Sequence, residues 1–264
     1  MEQTEIDAEI QRYYSMVFDE ADRLVERSAQ GALEFIRTQE LVTERIDPAS
    51  RIIDIGGATG SHAAPLAANG HTVVLLDPVK AQVDKARTHG SVEAEVGDAR
   101  QLGFADGSFD VALLLGPLYH LHEAADRLQA LAEAARVVRS GGWVFASAIP
   151  RFSRHAVLSL GEDIPVPYPS AWVQLLERGV PGSHGRFPAG HFHTAEELAR
   201  EMSDVGLLKV EVHAIEGAAG LPLEQIAGVD PDLVEAALAI VRKTGAIPAI
   251  RDMSNHIMGI GRVA

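Results

Sequence analysis

Residues 51 to 78, RIIDIGGATGSHAAPLAANGHTVVLLDP, constrain this chain more than any other stretch. A β-branched apolar run ends in a glycine cluster, a short helix-like segment follows, and a second apolar run ends on an acid. Near-continuous apolar runs belong to strands buried on both faces, and two of them joined by a helix make the βαβ unit of a parallel sheet. The rhythm continues downstream. The spacing predicts strands at 51–55, 72–77, 92–97, 109–115, 143–149, 208–215 and 256–262, with helices near 61–69, 79–89, 123–139, 194–205 and 231–243. The helix at 123–139 ends in RSGG, which sets a cation at the negative end of its dipole and glycines past its cap.

Residues 7–46 read as helix throughout, with Gly31 as the expected break between two helices and Pro48 closing the segment. Residues 150–191 lose the rhythm: Pro150, Pro165, Pro167, Pro169, Pro181 and Pro188 scatter among loops around one short helix near 170–178. A long irregular insertion in a compact domain usually serves as a lid or binding loop. The expected organisation is therefore an N-terminal helical cap, 1–47, and an α/β domain, 48–264, carrying a lid-like insertion at 150–191.

In DIGGATGS the glycines fall at 56, 57 and 60, and the helix that follows turns its free N–H groups back toward whatever occupies the turn. A dinucleotide fingerprint is G-x-G-x-x-G. Here the register gives Gly56, Ala58 and Gly60, with Ser61 at the place of the last glycine, which disfavours a nicotinamide dinucleotide.

At this point the chain resembles the class I (Rossmann-like) S-adenosylmethionine-dependent methyltransferases. Their first motif, acid-x-G-x-G-x-G, is matched by Asp54, Gly56, Ala58 and Gly60, with alanine replacing the middle glycine. An acid ending strand two is matched by Asp77 in VVLLDP, the polar turn after strand three by GDAR, the end of strand four by FDVALLLG, and the passage into strand five by VVRSGGWVFAS. The resemblance covers about residues 50 to 150. It implies a Rossmann-like, seven-stranded, mostly parallel sheet of order 3-2-1-4-5-7-6, its last strand antiparallel, with helices on both faces.

It also implies roles. Asp77, followed by Pro78, accepts hydrogen bonds from both ribose hydroxyls, or else caps the next helix; Asp98 and the Ala99 N–H meet the adenine, or Asp98 merely forms a turn. Gly57 belongs to the turn, and Asp54 orients it and acts through water on the methionyl ammonium, or is a buried structural carboxylate. The backbone of Leu115 and Gly116 touches the methionyl part; Tyr14 and Arg37 belong to an N-terminal lid over the cofactor, or to a solvated helix face.

Methyl transfer from a sulfonium depends mostly on alignment, with a base adding rate where the acceptor must lose a proton early. His120, in YHLH, and His193 are the candidate bases. Thr194 and Glu197 form a capping-box pattern that leaves His193 just before a helix N-terminus, a position that lowers an imidazole's pKa. Tyr119, Trp172 and Phe187 are candidate acceptor contacts, with packing as the alternative for each. No metal site is expected; His191 and His193 alone make a poor one.

The chain has no cysteine, so thiolate chemistry is excluded, and its formal net charge of −14 repels nucleic acid and anionic membranes. With no apolar run of spanning length and an acidic, polar first segment, a cytoplasmic protein is expected. The expected partner is a small-molecule methyl acceptor, methylated on oxygen or nitrogen. Neither nucleic acid nor membrane is expected, and a homodimer is compatible with the chain. Two alternatives stay open: a nicotinamide-dependent oxidoreductase on a similar sheet, and a protein that binds S-adenosylmethionine without catalysis.

Overall fold

The computed structural model describes residues 3–16, 24, 28–153, 156, 169–180, 190–226 and 228–264. Seven strands form one sheet: β1 (Arg51–Ile55), β2 (Thr72–Asp77), β3 (Val92–Val96), β4 (Phe109–Leu114), β5 (Val138–Ala148), β6 (Leu208–Ala214) and β7 (Ile257–Arg262). Their order is β3-β2-β1-β4-β5-β7-β6. The first five run parallel, and β7 is antiparallel to both of its neighbours.

Alternate side chains of each inner strand feed two cores. Ile53, Ile55, Val74 and Leu76 pack on one face with Leu131, Ala134 and Leu198. Ile52, Val73 and Leu75 pack on the other with Leu41, Leu66 and Val83. That sharing explains why these strands read as unbroken apolar runs.

The helices described are α1 (Gln3–Met16), α2 (Ala29–Thr43), α3 (Ala63–Ala68), α4 (Lys80–Arg87), α5 (Ala124–Val137), α6 (Ser170–Arg178), α7 (Ala195–Asp204), α8 (Gly220–Glu224), α9 (Pro231–Thr244) and α10 (Pro248–Arg251). Gly31 lies inside the first turn of α2 and breaks nothing. Ser28 starts that helix, its side chain accepting the Gly31 N–H at 3.2 Å. A hydroxyl that satisfies an otherwise orphaned donor outweighs the small helix penalty of one glycine.

The glycines of RSGG do not lie past a cap: α5 ends at Val137 and β5 begins at Val138, pairing with Phe109 before the register shifts. α7 starts as expected, with Thr194 and Glu197 forming a reciprocal capping box. The short helices α8 and α10 carry no amphipathic period long enough to read in sequence. α2 shares a core with the C-terminal helices, Ala29 and Leu33 meeting Leu223, Val234 and Leu238. α1 is tied to the loop after β4, where the Gln3 side chain donates to the His120 carbonyl and accepts the His122 N–H. Among the described residues no helix is long and apolar enough to cross a membrane.

Candidate functional site

A cavity of about 230 Å³ runs along the carboxyl edge of the sheet. Its walls include Asp54, Gly56, Gly57, Ala58, Asp77, Pro78, Asp98, Ala99, Leu115, Gly116, Tyr119 and His120. The fold thus brings together twelve of the residues singled out in the sequence. Open parallel sheets bind ligands outside the carboxyl ends of their strands, in the crevice that opens where the strand order reverses, here between β1 and β4.

The turn after β1 is tight because its backbone folds onto β2: the Gly56 and Gly57 N–H groups both donate to the Leu76 carbonyl, at 2.6 and 3.3 Å. Gly56 has φ +74°, and a Cβ there would meet the Pro117 ring at 2.8 Å. A Cβ on Gly57 would lie 2.5 Å from Asp54 Oδ2 and 2.7 Å from Leu75 Cδ1. Only glycine passes through both points. Ala58 is left-handed too, at φ +48°, and its N–H donates to Asp77 Oδ2 at 3.0 Å. Gly60, at φ +84°, shapes the turn without lining the cavity. α3 starts only at Ala63 and has six residues, so its terminus does not directly follow the turn as the sequence suggested.

Asp77 is nearly buried and also accepts the Val79 N–H at 2.8 Å, so it holds the loop before α4 while facing the cavity. Burial pushes its carboxyl up to about 6, against the pull of those backbone hydrogen bonds. Asp54 is buried with no hydrogen-bond partner for Oδ1 among the described residues. Burial and then the neighbouring Asp77 push it up to about 7. Two raised carboxyls beside a glycine cradle suit a ligand that donates hydroxyl or ammonium hydrogens. Asp98 is engaged differently: Arg100 clasps its carboxylate at 2.6 to 3.1 Å and reaches Asp7 of α1 at 2.9 Å. Asp7, Ile10 and Gln11 of α1 close this end of the cavity.

The remaining sequence candidates lie elsewhere. His193 is fully buried, is not part of the cavity wall, and its Nε2 is 3.1 Å from Glu201. Its pKa is lowered chiefly by burial, against the pull of the hydrogen bond to Glu201. Arg127 grips the same Glu201 at 2.8 Å and donates to the Leu121 and His122 carbonyls, so this cluster anchors the loop after β4. His193 therefore sits in a buried network with Glu201 and Arg127, outside the cavity wall that the described residues form. Arg37 is buried against Glu40 at 2.8 Å and lies outside the wall, although Glu34 and Thr38 of the same helix line it. Trp172 is half-buried on α6, away from the cavity. Phe187 and the side chain of Tyr14 lie outside the described residues.

The far end of the cavity escaped the sequence reading. Glu34, Ser147, Ile215 and His256 line it. Glu216, directly after Ile215, is fully buried, with Oε1 2.7 Å from His256 Nδ1. Gln30 of α2 donates to Glu216 at 2.8 Å and to Glu34 at 3.0 Å. Ile215 and Glu216 follow β6 and His256 precedes β7, so these polar groups flank strand ends on the ligand-bearing edge; that flanking position was the available signal.

Residues 53–146 match the family model described as a methyltransferase domain. Demethylmenaquinone methyltransferase of Renibacterium salmoninarum is 28% identical over 69% of this chain and 77% of its own. A probable tRNA methyltransferase 9B of Bos taurus is 32% identical over 55% of this chain, and the match spans only 32% of that relative. Among solved structures, geranyl diphosphate C-methyltransferase of Streptomyces coelicolor A3(2) superposes with a TM-score of 0.62 at 14% identity, covering 98% of each chain.

Proposed function

We propose that this chain, one of the class I S-adenosylmethionine-dependent methyltransferases, methylates oxygen or nitrogen of a small molecule taken into the cavity beside the cofactor. The observation that carries the reading is the cavity itself. It joins the glycine cradle and its two raised carboxyls to a side-chain-lined end beside α2. S-adenosylmethionine bound there supplies a methyl group on a positively charged sulfur.

The residues fit that molecule. Asp77 would accept the ribose hydroxyls, which the burial of its carboxylate makes strong. Asp54, with an unmet buried oxygen, would take a hydrogen from the methionyl ammonium. The Ala99 N–H and Asp98, already clasped by Arg100, would border the adenine. Leu115 and Gly116 would border the methionyl part, and Tyr119 and His120 the acceptor. The acceptor would be small, because α1 and α2 border the cavity, and uncharged or cationic, because the chain carries a net charge of −14.

Two measurements test this. Calorimetry with S-adenosylhomocysteine should give saturable binding, and thermal shift should respond to that compound and not to a nicotinamide dinucleotide. Incubation with methyl-tritiated S-adenosylmethionine, a low-mass metabolite fraction and bulk tRNA should put the label in the low-mass fraction; label in tRNA would overturn the acceptor class.

A further inference from the structure

We infer that His256, held by Glu216, is the base that takes the acceptor's proton, an assignment that rests on the methyltransferase reading above. The geometry is that of an oriented imidazole. Glu216 Oε1 lies 2.7 Å from His256 Nδ1, so the neutral ring carries its hydrogen on Nδ1 and its lone pair on Nε2.

Glu216 is itself locked. Its Oε2 accepts the Ser254 hydroxyl and the His256 N–H, both at 2.8 Å, while Oε1 accepts from Gln30 at 2.8 Å. Ser254 Oγ in turn accepts the N–H groups of Glu216 and Gly217, each at 3.0 Å. Gly220 lets its backbone pass close to this side chain, since a Cβ there would sit 2.9 Å from the Glu216 Cβ. Glu34 Oε2, 3.5 Å from the same Nδ1, adds a second negative charge beside the ring. His256 and Glu34 both belong to the cavity wall, at the β5–β7 end beyond the glycine cradle.

These contacts also decide between two chemistries. The three side chains stand close enough to share a cation. Yet a metal at this point would have to displace a 2.7 Å hydrogen bond and strip donors from a carboxylate whose two oxygens already accept from the Ser254, His256 and Gln30 groups. The arrangement suits a proton better.

In the step assigned, a lone pair on the acceptor oxygen or nitrogen forms the bond to the methyl carbon as the carbon–sulfur bond breaks. That bonding pair stays on sulfur as a neutral thioether. The acceptor's proton passes to His256 Nε2, and the resulting imidazolium is stabilised through Nδ1–H by Glu216 and by the charge of Glu34 before it releases the proton to solvent. Glu216 acts as a positioning residue and does not itself take the proton.

The test uses the full chain labelled with isotopic nitrogen and saturated with S-adenosylhomocysteine. Long-range proton–nitrogen spectra should find neutral His256 protonated on Nδ1, and Glu216→Gln should change the tautomer ratio about tenfold toward Nε2–H, since a charged acceptor is exchanged for a neutral one. His256→Gln should keep S-adenosylhomocysteine affinity within about twofold while label transfer to the low-mass acceptor fraction falls by roughly 100- to 10,000-fold. A wild-type ring protonated on Nε2, a tautomer ratio indifferent to Glu216→Gln, or undiminished transfer in His256→Gln would each overturn the assignment. So would stoichiometric Mn²⁺ or Zn²⁺ binding that Glu216→Gln abolishes. Where His256→Gln does not fold or no acceptor takes label, the wild-type tautomer and its response to Glu216→Gln decide. Failure of S-adenosylhomocysteine to bind would instead strike the cofactor reading, and the tautomer of the ligand-free chain would still be measurable.

Discussion

The two ends of the cavity are built by opposite means. At the β1–β2 end the wall is shaped by backbone: a turn that admits only glycine at two points, closed by hydrogen bonds to the Leu76 carbonyl, with the Asp54 and Asp77 carboxyls beside it. At the β5–β7 end it is side chain: Glu34, Glu216 and His256 arrive from α2, from the end of β6 and from the start of β7, and Gln30 and Glu216, which bond directly, are 186 residues apart in sequence. A ligand shared by many enzymes can be held by a contiguous turn. A ligand particular to one enzyme is met by side chains that only the finished fold collects.

The buried network that holds the loop after β4 gives the largest effect expected. Arg127→Met would leave Glu201 buried with His193 as its remaining partner, which should cost about 3–5 kcal/mol of stability by urea denaturation. S-adenosylhomocysteine affinity should shift by less than about threefold, because no part of the glycine cradle touches this cluster. A loss of affinity as large as the loss of stability would break the separation of this network from the cradle. Burial raises the Glu201 carboxyl, but hydrogen bonds from His193 and then Arg127 outweigh it and hold it at about 2. Its folded value lies below its unfolded one, so its stabilisation is present above about pH 4.5 and disappears as pH falls toward 2.

At the cradle the expectation reverses, with binding suffering more than stability. Asp77→Asn replaces a buried charged acceptor by a neutral one, and S-adenosylhomocysteine affinity should fall roughly 10- to 100-fold by calorimetry, about 1.5–3 kcal/mol. Stability, read from the thermal midpoint, should fall by less than that, because Asn has one acceptor oxygen where Asp77 uses two, for the Ala58 and Val79 N–H groups, and removal of a buried charge offsets part of the bond lost. An unchanged affinity would take Asp77 out of the ligand contact.

Acidity should separate the ends further. Asp54 and Asp77 hold their protons to about 7 and about 6, above the unfolded range, so in the ligand-free chain the folded state binds more protons than the unfolded one across that interval. Their contribution to stability is therefore present at low pH and is lost as pH rises through those values. A ligand that donates hydrogens to the carboxylates favours their ionised forms. Affinity for S-adenosylhomocysteine should thus rise between about pH 5.5 and 7.5 by up to about tenfold per unit per proton released, then level off. Calorimetry across that window in buffers of different ionisation heat would count the protons, and a flat profile would mean that neither carboxylate is engaged.

The same contrast governs what could be read from sequence. β1 and β2 were legible to the residue because their apolar runs are short, continuous and bounded by a turn and an acid. The cradle residues were legible because a backbone requirement writes itself locally, as glycine. Gly31 misled because a glycine in sequence does not reveal whether a side chain three residues earlier caps the helix. For His193 the capping box next to it could be read, while its burial against Glu201 depends on α7 packing beside α5, which no local pattern encodes. His256 was missed for a related reason: one histidine before a strand carries no signal until Glu216 and Glu34 are brought beside it.

The smallest effect expected bears on the one departure from the glycine pattern. Ala58 holds φ +48°, where a Cβ crowds the following carbonyl at a cost of about 1–2 kcal/mol. Glycine would remove that strain but give up roughly 0.5–1 kcal/mol through the greater freedom of the unfolded chain. The net gain for Ala58→Gly should be about 0.5–1 kcal/mol, which for a chain of this size is a rise of a few degrees at most in Tm. Affinity should be kept, since the N–H that reaches Asp77 is present in either residue. If Tm fell instead, the methyl group of Ala58 would have to be packing against something that stabilises the turn, and the cradle would then depend on side chains as the opposite end does.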